Sequence, residues 1–156
     1  MPAETDLIKL YSTRILGLAA EIPHHKRLES ADATIKKRSP LCGSAVTVDI
    51  TIKDGKIVTF GQDVKACALG QAAAAVTGGA IIGRTLAEIR IARDTLYAML
   101  KNSGPVPDAP FDGFEVLEPA REFKNRHASI LLCIEATLEA MELALKADLA
   151  SPTSFN

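Results

Sequence analysis

The run 46–64 constrains the fold more than any other part of the chain. Along its first half, apolar and polar residues alternate strictly from Val46 to Lys53, which predicts a β-strand with one buried face. Asp54 and Gly55 then favour a type I′ turn, because both central residues of that turn need a positive φ. The second half is predicted to return as an antiparallel strand. Since a lone hairpin is unstable in water, helices must cover it.

The remaining apolar residues recur at helical spacing and predict the helices that cover this hairpin. The predicted helices are 6–22, a segment from Ala68 that either stops at Gly78 or continues to Gly83, one opened by a capping box of Thr85 and Glu88, and one beginning near Arg126. Residues 102–119 hold four prolines and two glycines, which predicts a loop. The chain is therefore expected to be α+β, with a small antiparallel sheet, the hairpin at its core, packed against about four or five α-helices.

Length and charge restrict the domain organisation and the kinds of partner. A chain of 156 residues is expected to form a single domain over 1–156, with a core over about 5–148 and a tail over 150–156. The formal net charge is −1 and no long run has a single sign, so neither nucleic acid nor a membrane is an expected partner. No apolar run reaches about 18 residues and the N-terminus lacks a basic start, so a cytoplasmic location is expected.

Two of the three cysteines flank the hairpin, Cys42 before it and Cys67 after it. Because a hairpin returns the chain to the end where it started, we expect both sulfur atoms at the same end of the sheet. Cys67 also lies where a strand gives way to a helix, and the dipole and unpaired amides of a helix start favour a thiolate, which binds soft metals. Disulfides are not expected in a reducing compartment. The alternative is that the cysteines are buried and inert.

Several short motifs occur in order along the chain. They are Ala31-Asp32-Ala33-Thr34, Ser39-Pro40-Leu41-Cys42-Gly43, the hairpin, Cys67-Ala68-Leu69-Gly70 and Gly83-Arg84-Thr85-Leu86. Together they resemble the NifU/IscU-like iron–sulfur cluster assembly scaffold family over about residues 5–148. The resemblance implies a compact SufE/NifU-like α+β fold. It also implies a scaffold rather than an enzyme, which receives sulfur from a cysteine desulfurase, builds a [2Fe–2S] cluster on three cysteines and passes it to apo-proteins.

The resemblance assigns Cys42 and Cys67 as the first and second cluster ligands. A gapless reading places Ser129 at the third position, and Cys133, one helical turn further along the same face, is expected to bind the cluster in its place. The expected ligand set is therefore Cys42, Cys67 and Cys133, with His127 and Ser129 as alternatives for a remaining position. The same residues could hold a Zn or Fe ion.

Two departures from the family pattern keep other functions open. Ser44 stands where the family usually has an aspartate that keeps the cluster labile, and the chaperone motif Leu-Pro-Pro-Val-Lys is absent. One alternative is a sulfur relay, in which Cys67 or Cys133 accepts a persulfide from a cysteine desulfurase. The other is a degenerate family member that binds no cluster. His24 and His25 could bind a metal ion, but in a lone polar connector a solvated side chain is the more frequent outcome.

Overall fold

The structure, a computed structural model, describes residues 12–40 and 43–150. In chain order its elements are α1 (Thr13–Ala20), β1 (Ala33–Arg38), β2 (Ala45–Lys53), β3 (Lys56–Lys65), α2 (Ala68–Ala80), α3 (Leu86–Lys101), two 3-10 helices (Asp112–Glu122 and Lys124–Arg126) and α4 (His127–Ala150). Cys42 lies outside the described residues, as do the start of the predicted first helix and residues 151–156 of the predicted tail.

The predicted hairpin is confirmed. Strands β2 and β3 pair antiparallel along their length. At the turn, Asp54 has a φ of 54° and Gly55 a φ of 75°, which are the positive values that a type I′ turn requires. The alternating residues Val46, Val48 and Ile50 are buried in the core. Local alternation and turn chemistry were therefore sufficient to predict this part of the sheet.

The sheet has a third strand, β1, which the sequence analysis missed. It pairs antiparallel with β2, so the strand order is β1-β2-β3. Only Ala33 and Ile35 supply an apolar alternation in β1, because its second half is Lys36-Lys37-Arg38. Charged residues are common on edge strands, where they oppose pairing with other chains. Lys37 forms a salt bridge with Glu139 of α4, which holds this edge against the helix.

Helix α2 continues through Gly78 and Gly79, as the longer of the two predictions requires, but it ends at Ala80, three residues before the predicted end at Gly83. The reason is a close contact that the sequence alone does not show. A Cβ atom on Gly78 would lie 2.8 Å from Nε2 of Gln62 and 3.1 Å from the carbonyl oxygen of Pro23. The absence of a side chain at this position lets α2 pack tightly onto the sheet, and this packing outweighs the low helix propensity of glycine.

The predicted loop 102–119 is correct only for its first part. Residues 112–119 belong to the 3-10 helix Asp112–Glu122, which places Phe114 and Leu117 in the core. Phe111, just before this helix, stacks on Phe114 with 6.3 Å between ring centroids. Apolar anchoring of this kind overrides the preference of proline and glycine for irregular structure, since the buried rings gain contacts that a loop would not make.

The other helices follow the predictions more closely. Helix α1 begins after Ser12, whose hydroxyl accepts a hydrogen bond from the backbone of Ile15. The capping box of Thr85 and Glu88 opens α3. Helix α4 packs against β1, β2, α2 and α3. Its buried stripe includes Ile130, Ile134, Leu138 and Met141. The expected α+β class, with an antiparallel sheet covered by helices, is confirmed.

Hydrophobicity sets one further limit on this part of the chain. Over residues 12–40 and 43–150, none of the helices combines the length and the apolar character needed to span a bilayer.

Candidate functional site

Cys67 lies at the junction between β3 and α2. It is the N-cap residue of α2, with extended backbone (φ −65°, ψ 169°), and its side chain makes no capping hydrogen bond. Its carbonyl oxygen accepts the first helical hydrogen bond from Gln71 at 2.9 Å. The side chain is only partly buried. The sulfur atom therefore lies at the start of a helix, as the sequence predicted, and takes no part in capping that helix.

Two buried serines lie beside this sulfur atom. Oγ of Ser129, in the first turn of α4, is 3.5 Å from Sγ of Cys67 and 3.0 Å from Oγ of Ser44. Both serines are 2% exposed. A strand end, a helix start and the start of α4 thus meet at a small polar cluster of Ser44, Cys67 and Ser129. A hydroxyl at this distance can donate to a sulfur atom, and it stabilises a negative charge there.

Backbone hydrogen bonds fix the chain on both sides of residues 41–42, just before β2. The backbone amide of Gly43 donates to the carbonyl oxygen of Ser39 at 2.9 Å, and the amide of Ser39 donates to the carbonyl oxygen of Ser44 at 2.8 Å. Ser39 and Ser44 are both buried. These bonds hold the chain on either side of residues 41–42 close to the polar cluster. The expected position of Cys42 itself lies outside the described residues.

Gly70 allows α2 to approach α4 at the polar cluster. A Cβ atom on Gly70 would lie 2.4 Å from Oγ of Ser129, 2.8 Å from Cβ of Ala66 and 3.2 Å from the carbonyl oxygen of Ser129. The first two distances are shorter than real contacts of a Cβ atom. The glycine of the motif Cys67-Ala68-Leu69-Gly70 is therefore a packing requirement of the site, and the contact of α2 with Ser129 depends on it.

Cys133 lies one turn further along α4 and faces the core instead of the polar cluster. It is 1% exposed, and its thiol donates to Oε1 of Gln62 at 3.1 Å. Burial raises the pKa of the Cys133 thiol to about 12, although hydrogen bonds with Thr77 and Thr137 oppose this increase. Because a metal ligand must be a thiolate, this environment disfavours cluster binding.

The neighbours of Cys133 also show that it lies far from Cys67. The Gln62 amide that accepts from Cys133 donates to the carbonyl oxygen of Ala74 at 3.1 Å. Ala74 follows Cys67 along α2 by about 10 Å, at a rise of 1.5 Å per residue. The structure therefore does not bring Cys133 to Cys67. The residue that it does bring there is Ser129, as the gapless reading of the sequence allowed.

The histidines are engaged elsewhere. His127 is 1% exposed, its Nε2 donates to the carbonyl oxygen of Ala120 at 2.8 Å, and its Nδ1 lies 3.3 Å from Nζ of Lys101. Burial lowers the pKa of His127, so the neutral ring is favoured. The ring of His24 packs edge-on against Phe60, and Nε2 of His25 accepts from the backbone of Val64 at 3.3 Å. None of these contacts joins a histidine ring to the polar cluster.

The described residues do not by themselves form a metal centre of the expected kind. Over 12–40 and 43–150, no group of three or more His, Cys, Asp or Glu side chains could hold a metal ion. The polar cluster offers one thiol, Cys67, and two hydroxyls. Sequence reasoning identified Cys67 but gave Ser44 and Ser129 no joint role, because nothing local indicates that residues 85 positions apart are hydrogen-bonded.

The solved structures that are similar to this chain include the following three. A crystal structure of a nitrogen-fixing NifU-like protein (N-terminal) from Brucella abortus is 40% identical, with a TM-score of 0.88 over 90% of this chain and 98% of that one. A putative iron–sulfur cluster assembly scaffold protein for the SUF system from Fervidobacterium islandicum AW-1 is 21% identical, with a TM-score of 0.76 over 86% of this chain and 98% of that one. A hypothetical protein is 19% identical, with a TM-score of 0.78 and the same coverage.

These similarities support different conclusions, because the sequence identities differ. The two structures near 20% identity share the fold. No protein-family model matches the chain, and a search of curated proteins found no match either. The identity of 40% over nine-tenths of the chain goes further, because it extends along nearly the whole fold, and so the chain belongs to the NifU-like (N-terminal) family.

Proposed function

We propose that this chain is an iron–sulfur cluster assembly scaffold or carrier, on which a [2Fe–2S] cluster is built before its transfer to apo-proteins. The observation that carries the proposal is Cys67, a partly exposed thiol at a helix start in a chain that belongs to the NifU-like family. Iron–sulfur clusters are held by thiolates, and the start of a helix favours the negative charge of a thiolate. The cluster is the cargo of the protein, and the proposed role is not catalytic.

The proposed protein ligands are Cys42 and Cys67. Cys133, which the sequence analysis expected as the third ligand, is a weaker candidate because it is buried, and burial raises its thiol pKa to about 12. Ser129 is the nearer candidate for a third position, because its Oγ lies 3.5 Å from Sγ of Cys67. With two thiolates from the chain, the other iron positions are left to exchangeable groups, such as sulfur from a donor protein or from an acceptor. Such a site would hold its cargo weakly.

The proposed partners are a cysteine desulfurase and apo-proteins that receive the cluster. A second function, a sulfur relay, is favoured by one observation: within the described ranges Cys67 is the only cysteine that is not fully buried. In a relay, Cys67 would accept a persulfide and pass it on without iron. A single Zn or Fe ion at the same residues is compatible with either function. The cytoplasmic location and the single-domain organisation over 1–156 stay predictions.

Anaerobic reconstitution with ferrous iron, cysteine and a cysteine desulfurase tests the scaffold. Iron and sulfide analysis and a visible spectrum should show about two irons and two sulfides per cluster in the wild type. Cys67→Ser should abolish the cluster, and the matched cysteine removal Cys133→Ser should keep it. Ser129→Cys adds a third thiol beside Cys67 and should slow the loss of the cluster to an iron chelator.

Three results would change the proposal. Loss of the cluster in a folded Cys133→Ser variant would return Cys133 to the ligand set. A persulfide on Cys67 that forms with the desulfurase and without bound iron would establish the relay. A folded wild type that acquires neither cluster nor persulfide beside an active desulfurase would leave only the degenerate family member.

A further inference from the structure

One face of the sheet carries an open group of cations next to the polar cluster. Arg38, Ala45 and Lys65 are cross-strand neighbours, and the next row on the same face is Lys36, Thr47 and Asp63. Side chains two residues apart on a strand point to the same side, so both rows share one face. That face is opposite to Val46 and Val64, which are buried against the helices. We call Lys36, Arg38 and Lys65 the cationic face.

Of the residues that the structure describes, a segment covers the far part of this side of the sheet and none covers the cationic face. The Asp49 carboxylate accepts hydrogen bonds from the Arg27 side chain and the Leu28 backbone, so the 26–28 segment lies over the centre of the sheet. A Cβ atom on Gly61 would lie 2.5 Å from the carbonyl oxygen of Lys26. Beyond that cover, the cationic face borders a cavity of about 150 Å³ together with Gly43, Thr47 and Asp63.

The charges of the cationic face are not neutralised by the part of the chain that is described. All three side chains are exposed, and none forms a salt bridge with a described carboxylate. Among the described residues Asp63 is the only carboxylate that lines the cavity, and its charge also attracts Arg27. Across two strand spacings the cations span about 10 Å. This is a compact positive surface on a chain whose formal net charge is −1.

The cationic face is next to the proposed cargo site along two stretches of the chain. Lys65 precedes Cys67 by two residues, a reach of at most about 7 Å between Cα atoms. Gly43, which lines the cavity, directly precedes Ser44 of the polar cluster. A protein that contacts the sulfur of Cys67 therefore has the cationic face within reach of its own surface.

We propose that the cationic face is the docking surface for an acidic segment of the cysteine desulfurase that delivers sulfur to Cys67. This inference rests on the proposed function. Sulfur transfer requires direct contact: the Cys67 thiolate attacks the outer sulfur of the donor persulfide, a new S–S bond forms, and the donor cysteine leaves as a thiolate while the proton stays on the transferred sulfur. No external oxidant or reductant is needed, because one S–S bond replaces another.

An acidic protein segment fits the cationic face better than nucleic acid does. The three charges of the cationic face lie on one small area and are not interleaved with aromatic side chains. Protein surfaces that bind nucleic acid combine a long basic track with aromatic side chains on which bases stack. Carboxylates opposite the cations would accelerate encounter by long-range attraction and set the orientation of the two proteins.

Charge reversal tests the proposal. The test variant carries Lys36→Glu, Arg38→Glu and Lys65→Glu. The matched control carries Lys53→Glu, Lys56→Glu and Lys146→Glu, which changes the net charge equally at exposed positions away from the cavity. Affinity for a cysteine desulfurase is measured by titration, and transfer to Cys67 by the mass increase of its peptide. At about 50 mM NaCl we expect affinity and transfer rate to fall about tenfold or more in the test variant and about twofold or less in the control. At about 500 mM NaCl the difference between the two variants should be smaller, because salt screens the charges.

The result that overturns the docking proposal is an equal effect in both variants, or none in either. Reconstitution with sodium sulfide in place of the desulfurase separates this failure from failure of the proposed function. If the cluster forms from sulfide in both the wild type and the test variant, and both bind the desulfurase with equal affinity, the scaffold proposal is supported and the docking proposal is rejected. If no cluster forms from either sulfur source, the scaffold proposal is rejected. The comparison of desulfurase affinities still tests the docking proposal in that case. Charge-sensitive binding of single-stranded DNA, without charge-sensitive binding of the desulfurase, would assign the face to nucleic acid and overturn the proposal.

Discussion

Gly70→Ala should destabilise the protein, whereas the same substitution at Gly79 in the same helix should stabilise it. At Gly70 the new methyl group would lie 2.4 Å from Oγ of Ser129 and 2.8 Å from Cβ of Ala66. At Gly79 nothing lies within 4 Å of a new Cβ atom. Both residues are inside α2, so the gain in helix propensity has the same sign at the two positions. The difference between the two variants therefore measures the contact between α2 and α4.

The magnitude follows from three contributions. Overpacking a tight contact costs about 1–3 kcal/mol. Displacing the Ser129 hydroxyl would also weaken its hydrogen bond with Ser44, at a cost of about 1 kcal/mol. Replacing glycine by alanine in a helix returns up to about 1 kcal/mol. Gly70→Ala should therefore lower the free energy of unfolding by about 1–3 kcal/mol, and Gly79→Ala should raise it by up to about 1 kcal/mol.

Urea unfolding followed by circular dichroism is the assay. With a urea m-value of about 2 kcal/mol per molar, Gly70→Ala should lower the midpoint by about 0.5–1.5 M and Gly79→Ala should raise it slightly. Ser129→Ala in the Gly70→Ala background removes the atom that clashes most, so the double variant should lose less stability than the sum of the single variants. A midpoint for Gly70→Ala at or above that of the wild type would refute the close packing at the polar cluster.

Three further predictions concern the core. In the folded protein, iodoacetamide should modify Cys67 at least about tenfold faster than Cys133, because burial raises the Cys133 pKa to about 12; equal labelling by peptide mass analysis would contradict this. Burial raises the pKa of Asp49, but hydrogen bonds from Arg27 and two neighbours outweigh it and hold the pKa below its usual value. The stability that Asp49 contributes is thus present above about pH 4 and is lost as the pH falls below that. Asp49→Asn should therefore lower the urea midpoint at pH 7 and make the midpoint fall less steeply between about pH 5 and 2; an unchanged pH dependence would contradict this role of Asp49. Gln62→Leu removes the acceptor of the Cys133 thiol and the donor to two backbone carbonyls, and should cost about 1–3 kcal/mol in the same assay; a neutral effect would exclude a stabilising network.

The candidate site shows where prediction from sequence stopped. The strand and helix signals around Cys67 are local, and they placed this residue correctly at a helix start. The choice between Ser129 and Cys133 could not be made locally, because both lie on the same face of one amphipathic helix, one turn apart. Their environments differ only because α2 approaches that helix at Gly70, which brings Ser129 to Cys67 and leaves Cys133 against Gln62.

By itself, the sequence determined the hairpin, the type and approximate position of most helices, the capping box of α3 and the family to which the chain belongs. The hairpin, the helices and the capping box depend on alternation, helical spacing and turn residues within about ten positions, which are properties of the local chain. The family came from the resemblance of a series of motifs spread along the chain. Only the tertiary structure decided that β1 joins the sheet, that α2 continues past Gly78, and that an open cationic face lies beside Cys67. Each of these depends on contacts between distant segments, where packing outweighs local preference, and so no local pattern could reveal them.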